Sequence, residues 1–340
     1  MTKITEYLEI LLEGGDLKYE QAKDLLDTIF KGDVAEVQIA AFLAAMRMKK
    51  AVAGEFAGLA QSLRDHAVKI NTKIPYMIDT CGTGGAPLKT FNVSTAAAFV
   101  AAGAGAYVAK HGNRGITSKC GSADVLESMG VKIDCPPDIV TECIENAHIG
   151  FMFAPMYHPA MKFVQPIRKS LDFRTAFNIL GPLANPAGAQ GQVMGVPEES
   201  LLDRIADTLE ILGVKHAMIV HGKGLDEISI TSSTKVVEIK DGKKISYKIN
   251  PEEFSIKSPK MAELVGSNAE YNAGLIKEIL SGKNKGPARD MVLLNSAAAI
   301  MVANLADDMH QAFKKGAESI DSGGAVQCLE KIIKISNGKK

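Results

Sequence analysis

The sequence predicts an α/β protein: a small N-terminal helical domain followed by a larger domain built on a mainly parallel central sheet. Two observations carry this. From Thr2 to about Ile70 apolar residues recur with helical period, and past Asn71 short strand-like runs alternate with helical patterns. A third observation, glycines and hydroxyl residues following those runs, places a ligand site where strand carboxyl ends meet helix N-termini. With 340 residues, 46% hydrophobic and 23% charged, the chain can bury a large core as one big domain or two unequal ones. The predicted boundaries are 1–72 for the helical domain and 73–340 for the α/β domain.

In chain order, Ile4, Leu8, Leu11 and Leu12 share one helical face, and Gly14-Gly15-Asp16 ends that run. Ala22, Leu25, Leu26 and Ile29 form the next stripe, stopped by Gly32. Asp33 is the expected N-cap of a helix with Val37, Ala40, Leu43 and Ala44 inward, and Phe56, Leu59, Ala60 and Leu63 mark a fourth. The small residues from Ile39 to Ala45 leave an apolar surface suited to intrachain packing or to a second copy. The expected strands are Tyr76-Ile78, Tyr107-Ala109, Val131-Ile133, Phe151-Phe153, Val193-Val196 and Ala217-Val220. Glu198 to Leu212 reads as an amphipathic helix. Val236-Lys240 and Lys244-Lys248 around Asp241-Gly242 read as an antiparallel hairpin. From Tyr271 the pattern is helical again, broken at Gly323-Gly324. No internal repeat, low-complexity tract or linker interrupts it.

The stretch from Asp79 to Gly130 concentrates the chemistry. After Tyr76-Ile78 come Gly82-Thr83-Gly84-Gly85, where the missing Cβ atoms permit positive φ and close approach of backbone N–H groups to a ligand. Asn92, Ser94 and Thr95 precede an Ala-rich helix whose free N–H groups and positive dipole end suit an anion. Lys110-His111-Gly112-Asn113-Arg114 puts two permanent cations on one loop, and Ser118, Lys119, Gly121 and Ser122 lead into a further helix start. Three anion-suited turns in about fifty residues point to a polyphosphate or a phosphorylated sugar. Asp226-Glu227, beyond a strand and a glycine-containing loop, offers adjacent carboxylates for Mg²⁺, a hard cation that shares its shell with water and phosphate oxygens. In the stretch FMFAPMYHPAMKFVQPIRKSLDFRTAFNILGPLANP, Pro155, His158 and Pro159 open a helix carrying Lys162 and Arg168. Asn178 to Leu183 form a rigid apolar turn. Arg168 could fix a small carboxylate with two parallel hydrogen bonds. His158 and His221 read first as structural.

Composition excludes several classes. Lys plus Arg and Asp plus Glu are both 39, so a nucleic-acid binder relying on broad phosphate neutralisation is not expected. Five cysteines, Cys81, Cys120, Cys135, Cys143 and Cys328, without a C-x-x-C pair argue against a disulfide framework or zinc site and fit a reducing cytoplasm. The N-terminal MTKITEYLEILLEGGD has no long apolar core of a signal peptide, and Ala96 to Ala109 is too short to span a bilayer, so no membrane association is expected.

DTCGTGG, FNVST, KHGNR, KCGSADVLESMG, NILGPLANP and the DE pair, in that order, make the sequence closely resemble the anthranilate phosphoribosyltransferases over essentially its whole length. The resemblance implies a helical domain completed by a segment near 165–185 on an α/β domain of the nucleoside phosphorylase/phosphoribosyltransferase type, and a homodimer through the helical domain. It implies transfer of the 5-phosphoribosyl group from 5-phosphoribosyl-1-pyrophosphate (PRPP) to the amine of anthranilate, within tryptophan biosynthesis. The implied PRPP-binding residues are Gly82, Thr83, Gly84, Gly85, Thr90, Asn92, Ser94, Thr95, Lys110, Ser118 and Ser122. For anthranilate they are Gly82, His111, Asn113, Pro155, His158, Arg168 and Gly181, and for Mg²⁺ Ser94, Asp226 and Glu227. Two departures stand out. Ala86-Pro87 replaces the acid usual after GTGG, and Cys120 stands where a small hydroxyl is usual before Gly121. No general base is implied, because an aromatic amine is already neutral at pH 7; Lys110 and Arg168 contribute by electrostatics and positioning. A pyrimidine nucleoside phosphorylase-like enzyme and a catalytically inactive, transferase-like nucleic-acid binder are the competing readings.

Overall fold

A computed structural model describes residues 2–115 and 119–339. The N-terminal part is four helices, α1 (Lys3–Leu12), α2 (Tyr19–Lys31), α3 (Glu36–Lys49) and α4 (Ala53–Asp65). Thr2 caps α1 through its hydroxyl, and Gly32 ends α2 at φ 85°. The start of α3 differs from expectation: Ala35, not Asp33, is its N-cap, and Val37 points outward, 76% exposed. The buried face of the helix runs through Ile39, Phe42, Leu43 and Met46, which leaves Val37 outside it. Helices α2 and α4 touch at Gly58, where a Cβ would lie 2.3 Å from the Tyr19 carbonyl oxygen. The buried Glu55 carboxylate ties the bundle together. It accepts from the backbone N–H groups of Leu17 and Val52, both at 2.9 Å, and pairs with Lys49 at 2.7 Å.

A seven-stranded sheet follows: β1 (Ile78–Gly82), β2 (Val108–Gly112), β3 (Ile149–Phe153), β4 (Gly191–Gly195), β5 (His216–His221), β6 (Thr234–Lys240) and β7 (Lys243–Ile249). Their spatial order is β3-β2-β1-β4-β5-β6-β7; the first five run parallel, and β6 and β7 extend the edge antiparallel. The hairpin at Asp241-Gly242 is thus an extension of the sheet itself. The first expected strand shifts toward its carboxyl end: of Tyr76-Ile78 only Ile78 is in β1, which runs on to Gly82.

Val131-Ile133 forms no strand. The run is buried at Val131 and Ile133, but the Val131 N–H donates to Leu126 O and the Lys132 N–H to Ser336 Oγ, so its hydrogen bonds go to helices.

Helices α5 (Val93–Gly103), α6 (Ser122–Met129) and α7 (Pro137–Ala147) connect the first strands. Prolines 155, 159 and 166 break the next expected helix into α8 (Ala154–Tyr157), a 3₁₀ turn (Pro159–Phe163) and α9 (Gln165–Leu171). Asn178 to Leu183 is not a turn but belongs to a short helix, α10 (Phe177–Leu183), which tolerates Pro182 in its last turn. Helix α11 (Leu202–Ile211) joins β4 to β5. Helices α12 (Ala269–Leu280), α13 (Pro287–Val302), α14 (Met309–Asp321) and α15 (Gly324–Ser336) close the chain.

Strand side chains alternate between the faces of the sheet and divide mainly between two large cores, with Ala109 and Met152 in a smaller third cluster. Ile78, Val108, Val193, Met218 and Val220 pack with α5, α13 and α15. Met194, Ala217, Ile219, Val237 and Ile239 face a second core shared by α11, the four N-terminal helices, and Val164, Ile167, Ala176, Phe177, Leu180 and Leu183. The cleft at the strand carboxyl ends is therefore walled on one side by segments that pack with the N-terminal helices.

Candidate active site

A cavity of about 770 Å³ opens at the carboxyl ends of β1 and β2. Gly82, Thr83, Gly84, Gly85, Thr90, Asn92, Ser94, Thr95, Lys110, His111, Asn113 and Ser122 line it, together with Pro155, His158, Arg168, Gly181, Asp226 and Glu227. Ser118 lies outside the described residues.

The loop after β1 takes left-handed conformations at Gly84 (φ 68°) and Gly85 (φ 80°). Its Gly84 N–H donates to Asp226 Oδ2 at 2.9 Å. Gly82 is needed for that approach, because a Cβ there would lie 2.5 Å from Asp226 Oδ2. The neighbouring Glu227 accepts from the Thr90 hydroxyl at 2.8 Å, and the Ser94 backbone at the start of α5 helps to hold its charge. Asn92 is the N-cap residue by position, yet its side chain makes no capping bond. It donates instead to Cys120 O at 3.2 Å and accepts from Asn272 at 2.9 Å, tying the α5 start to the loop before α6. Ser94 and Thr95 fall inside the first turn of α5, and among the described residues the buried Thr95 hydroxyl has no partner.

Electrostatics divide the cavity. Burial raises the pKa of Asp226, and burial plus the adjacent Asp226 charge raises that of Glu227 well above the usual carboxylate range. Two desolvated acids side by side, near the start of α5, suit a hard divalent cation that would restore their ionised forms. Among the described residues no cluster of three or more acidic, histidine or cysteine side chains could hold a metal alone, so waters and substrate oxygens would have to complete such a shell. Lys110 is buried, and its ammonium donates to Thr80 O. Burial lowers its pKa while the buried Asp79 opposes that shift. Arg114, the second cation expected on this loop, is engaged by Asp124 at 3.0 Å and Glu127 at 2.7 Å.

At the other end His111 and His158 stand with ring centres 5.0 Å apart. Burial pushes His111 down to about 3 and His158 to about 4, so both are neutral at physiological pH. Among the described residues His111 Nε2 and both ring nitrogens of His158 lack a hydrogen bond of normal geometry, although the backbone of Gly181, Leu63 and Ala184 lies nearby. The Arg168 guanidinium donates to Gln165 Oε1 at 3.2 Å and stands 5.4 Å from the Phe177 ring centre. Among the described residues no carboxylate pairs with it. His221 does not line the cavity; its Nδ1 meets Val196 O at 3.0 Å.

Two charged wall residues escape sequence reasoning, Lys89 and Arg174. Lys89 stands between two of the recognised motifs and was legible as a cation beside a glycine loop. Arg174 carries no local signal, because it reaches the Gly84-Gly85 loop from about ninety residues away in the chain.

Comparison with known proteins agrees with this geometry. The helical bundle domain of the glycosyl transferase family matches residues 5–67, and its a/b domain matches residues 75–326. The anthranilate phosphoribosyltransferase of Methanocorpusculum labreanum is 48% identical over 337 residues, 99% of each chain. The crystal structure of the Thermus thermophilus enzyme of that name superimposes with a TM-score of 0.92 at 37% identity, covering 97% of this chain and 99% of that one. The Saccharomyces cerevisiae enzyme in complex with PRPP and Mg gives 0.89 at 28% identity, covering 98% of both. Matched from end to end in sequence and fold, the chain belongs to the anthranilate phosphoribosyltransferase family of glycosyl transferases.

Proposed function

We propose that the protein transfers the 5-phosphoribosyl group of PRPP to the amine of anthranilate, giving N-(5-phosphoribosyl)anthranilate and pyrophosphate in tryptophan biosynthesis. One observation carries the reading: a single cleft has an anion-binding, carboxylate-bearing end and an end with two neutral imidazoles and an arginine free of carboxylate partners among the described residues. The amine lone pair forms a bond to ribose C1 as the C1–O bond breaks. The electron pair leaves on pyrophosphate, and the nitrogen then loses a proton to water. Charge grows on the leaving diphosphate, so donors aimed there contribute most.

In this reading the loop Gly82 to Gly85 and the start of α5 hold the donor phosphates, with Thr90, Asn92, Ser94, Thr95, Lys110 and Ser122. Asp226, Glu227 and the Ser94 hydroxyl hold Mg²⁺, which when bound neutralises diphosphate charge. Arg168 takes the anthranilate carboxylate. His111, Asn113, Pro155, His158 and Gly181 shape the acceptor pocket, the neutral imidazoles adding no second positive charge. Neither nucleoside phosphorolysis nor nucleic-acid binding draws support from the cleft.

The segment 164–184, which shares the core of the N-terminal helices, is assigned to the helical unit. We also assign a homodimer through that unit, supported by Leu12, Val37 and Met48 on α1 and α3, exposed at 65%, 76% and 84%. No helix among the described residues is long and apolar enough to cross a membrane, and the five cysteines are free of disulfides, which suits the cytoplasm. Anthranilate fluorescence tests the reaction: it should fall only when PRPP and Mg²⁺ are both present. Loss without the donor, or none with it, overturns the reading.

A further inference from the structure

Arg174 lies in the loop between α9 and α10, and its neighbours Ala176 and Phe177 pack in the core of the N-terminal helices. Its side chain leaves that core for the glycine loop after β1. Nη2 donates to Gly84 O at 3.0 Å and Nη1 to Gly85 O at 3.4 Å. A Cβ on Gly85 would lie 1.8 Å from Nη1, so the guanidinium fills the volume that any side chain there would need. Behind it the Arg174 carbonyl accepts from Arg47 Nη1, and the Arg47 guanidinium stands 5.2 Å from the Phe173 ring centre. Arg47 sits in the last turn of α3, so a continuous chain of contacts runs from the helical bundle to the glycine loop.

The consequence follows from peptide geometry. A carbonyl and the next N–H belong to one planar unit, so clamping the Gly84 and Gly85 carbonyls also sets the directions of the Gly85 and Ala86 N–H groups. Glycines at φ 68° and 80° would otherwise roam widely. Unlike Arg114, Arg174 has no carboxylate within ion-pair distance among the described residues, so its charge is not locally neutralised; its field already reaches Asp226.

We propose that Arg174 is a positioning residue for the phosphoribosyl donor: it braces the glycine loop against the helical unit and presents the loop's N–H groups to the diphosphate. The proposal rests on the transfer reaction assigned above. Arg174→Lys keeps the charge but loses the rigid fork that aims one N–H at each carbonyl. In the Mg²⁺-loaded enzyme it should raise the KM for PRPP roughly tenfold, the scale of lost charge-assisted hydrogen bonds, and leave the KM for anthranilate within about twofold. Arg174→Ala should show the same split, with partial recovery on adding guanidinium ion. Arg47→Ala, which removes only the brace, should give a smaller rise in the same direction. Wild-type constants in Arg174→Lys, or equal rises for both substrates, overturn the proposal. If Arg174→Ala fails to fold, the Lys and Arg47 variants carry the test. A wild-type enzyme that consumes no anthranilate with PRPP would instead overturn the reaction itself.

Discussion

At the residue scale, the site keeps charges and lone pairs in places that are unfavourable without substrate. Asp226 and Glu227 are adjacent buried acids, and removing one buried like-charge contact stabilises a fold even when it destroys function. Asp226→Asn with Glu227→Gln should therefore abolish Mg²⁺-dependent turnover and raise the melting temperature measured in EDTA; a lower melting temperature would show the pair to be structural. Arg168→Ala should raise the KM for anthranilate about tenfold or more, with little change for PRPP, as steady-state kinetics would read.

His111 and His158 carry a pH signature. Their folded pKa values, about 3 and about 4, lie below the ordinary 6.5, so between these limits the unfolded chain binds protons that the folded one refuses. Stability from these two groups is thus full above pH 6.5 and falls as pH drops, by roughly 2 kcal/mol per histidine at pH 5. Urea midpoints at pH 7 and pH 5 should differ accordingly, and His111→Gln with His158→Gln should narrow the gap.

At the element scale, the fold was legible where period and punctuation agreed. The helical stripes ended by Gly14 and Gly32, and the hairpin at Asp241-Gly242, are local signals and appear where expected. The misses have tertiary causes. Val131-Ile133 has strand composition, but its backbone bonds to helices. Gly181-Pro182 looks like a breaker, yet Pro182 sits inside α10, one residue before its end, where the helix stops soon after it. Asp33 has cap chemistry, yet the chain starts α3 later. The candidate site residues that lie in the described part gather in one cleft because each sits in a glycine, hydroxyl or charge motif near a strand end or helix start. Arg174 and the buried Glu55 hub depend on contacts far apart in sequence. Glu55→Ala would take the acceptor from two backbone N–H groups and leave Lys49 with Asp16 alone, so it should lower stability by about 3 kcal/mol in a denaturant titration, with the α/β sheet retained.

At the scale of the whole molecule, two cores flank one sheet, and the cleft lies where they meet above the parallel strand ends. On the proposed assignment β1, α5 and the Asp226-Glu227 turn would form the donor end, and segments that pack with the N-terminal helices would form the acceptor end. The exposed Val37 and Met48 on α3 predict a second copy there. Met48→Glu should shift the sedimenting species from dimer to monomer, and an unchanged dimer would place the interface elsewhere.

The central claim is that the diphosphate is gripped by the glycine loop and the buried acid pair while the acceptor waits by Arg168. A crystal structure of this enzyme with PRPP and Mg²⁺ tests it most directly. Diphosphate oxygens should lie against the loop Gly82 to Gly85, with a metal on Asp226 and Glu227. Diphosphate lodged beside Arg168, with the acid pair bare, would contradict it.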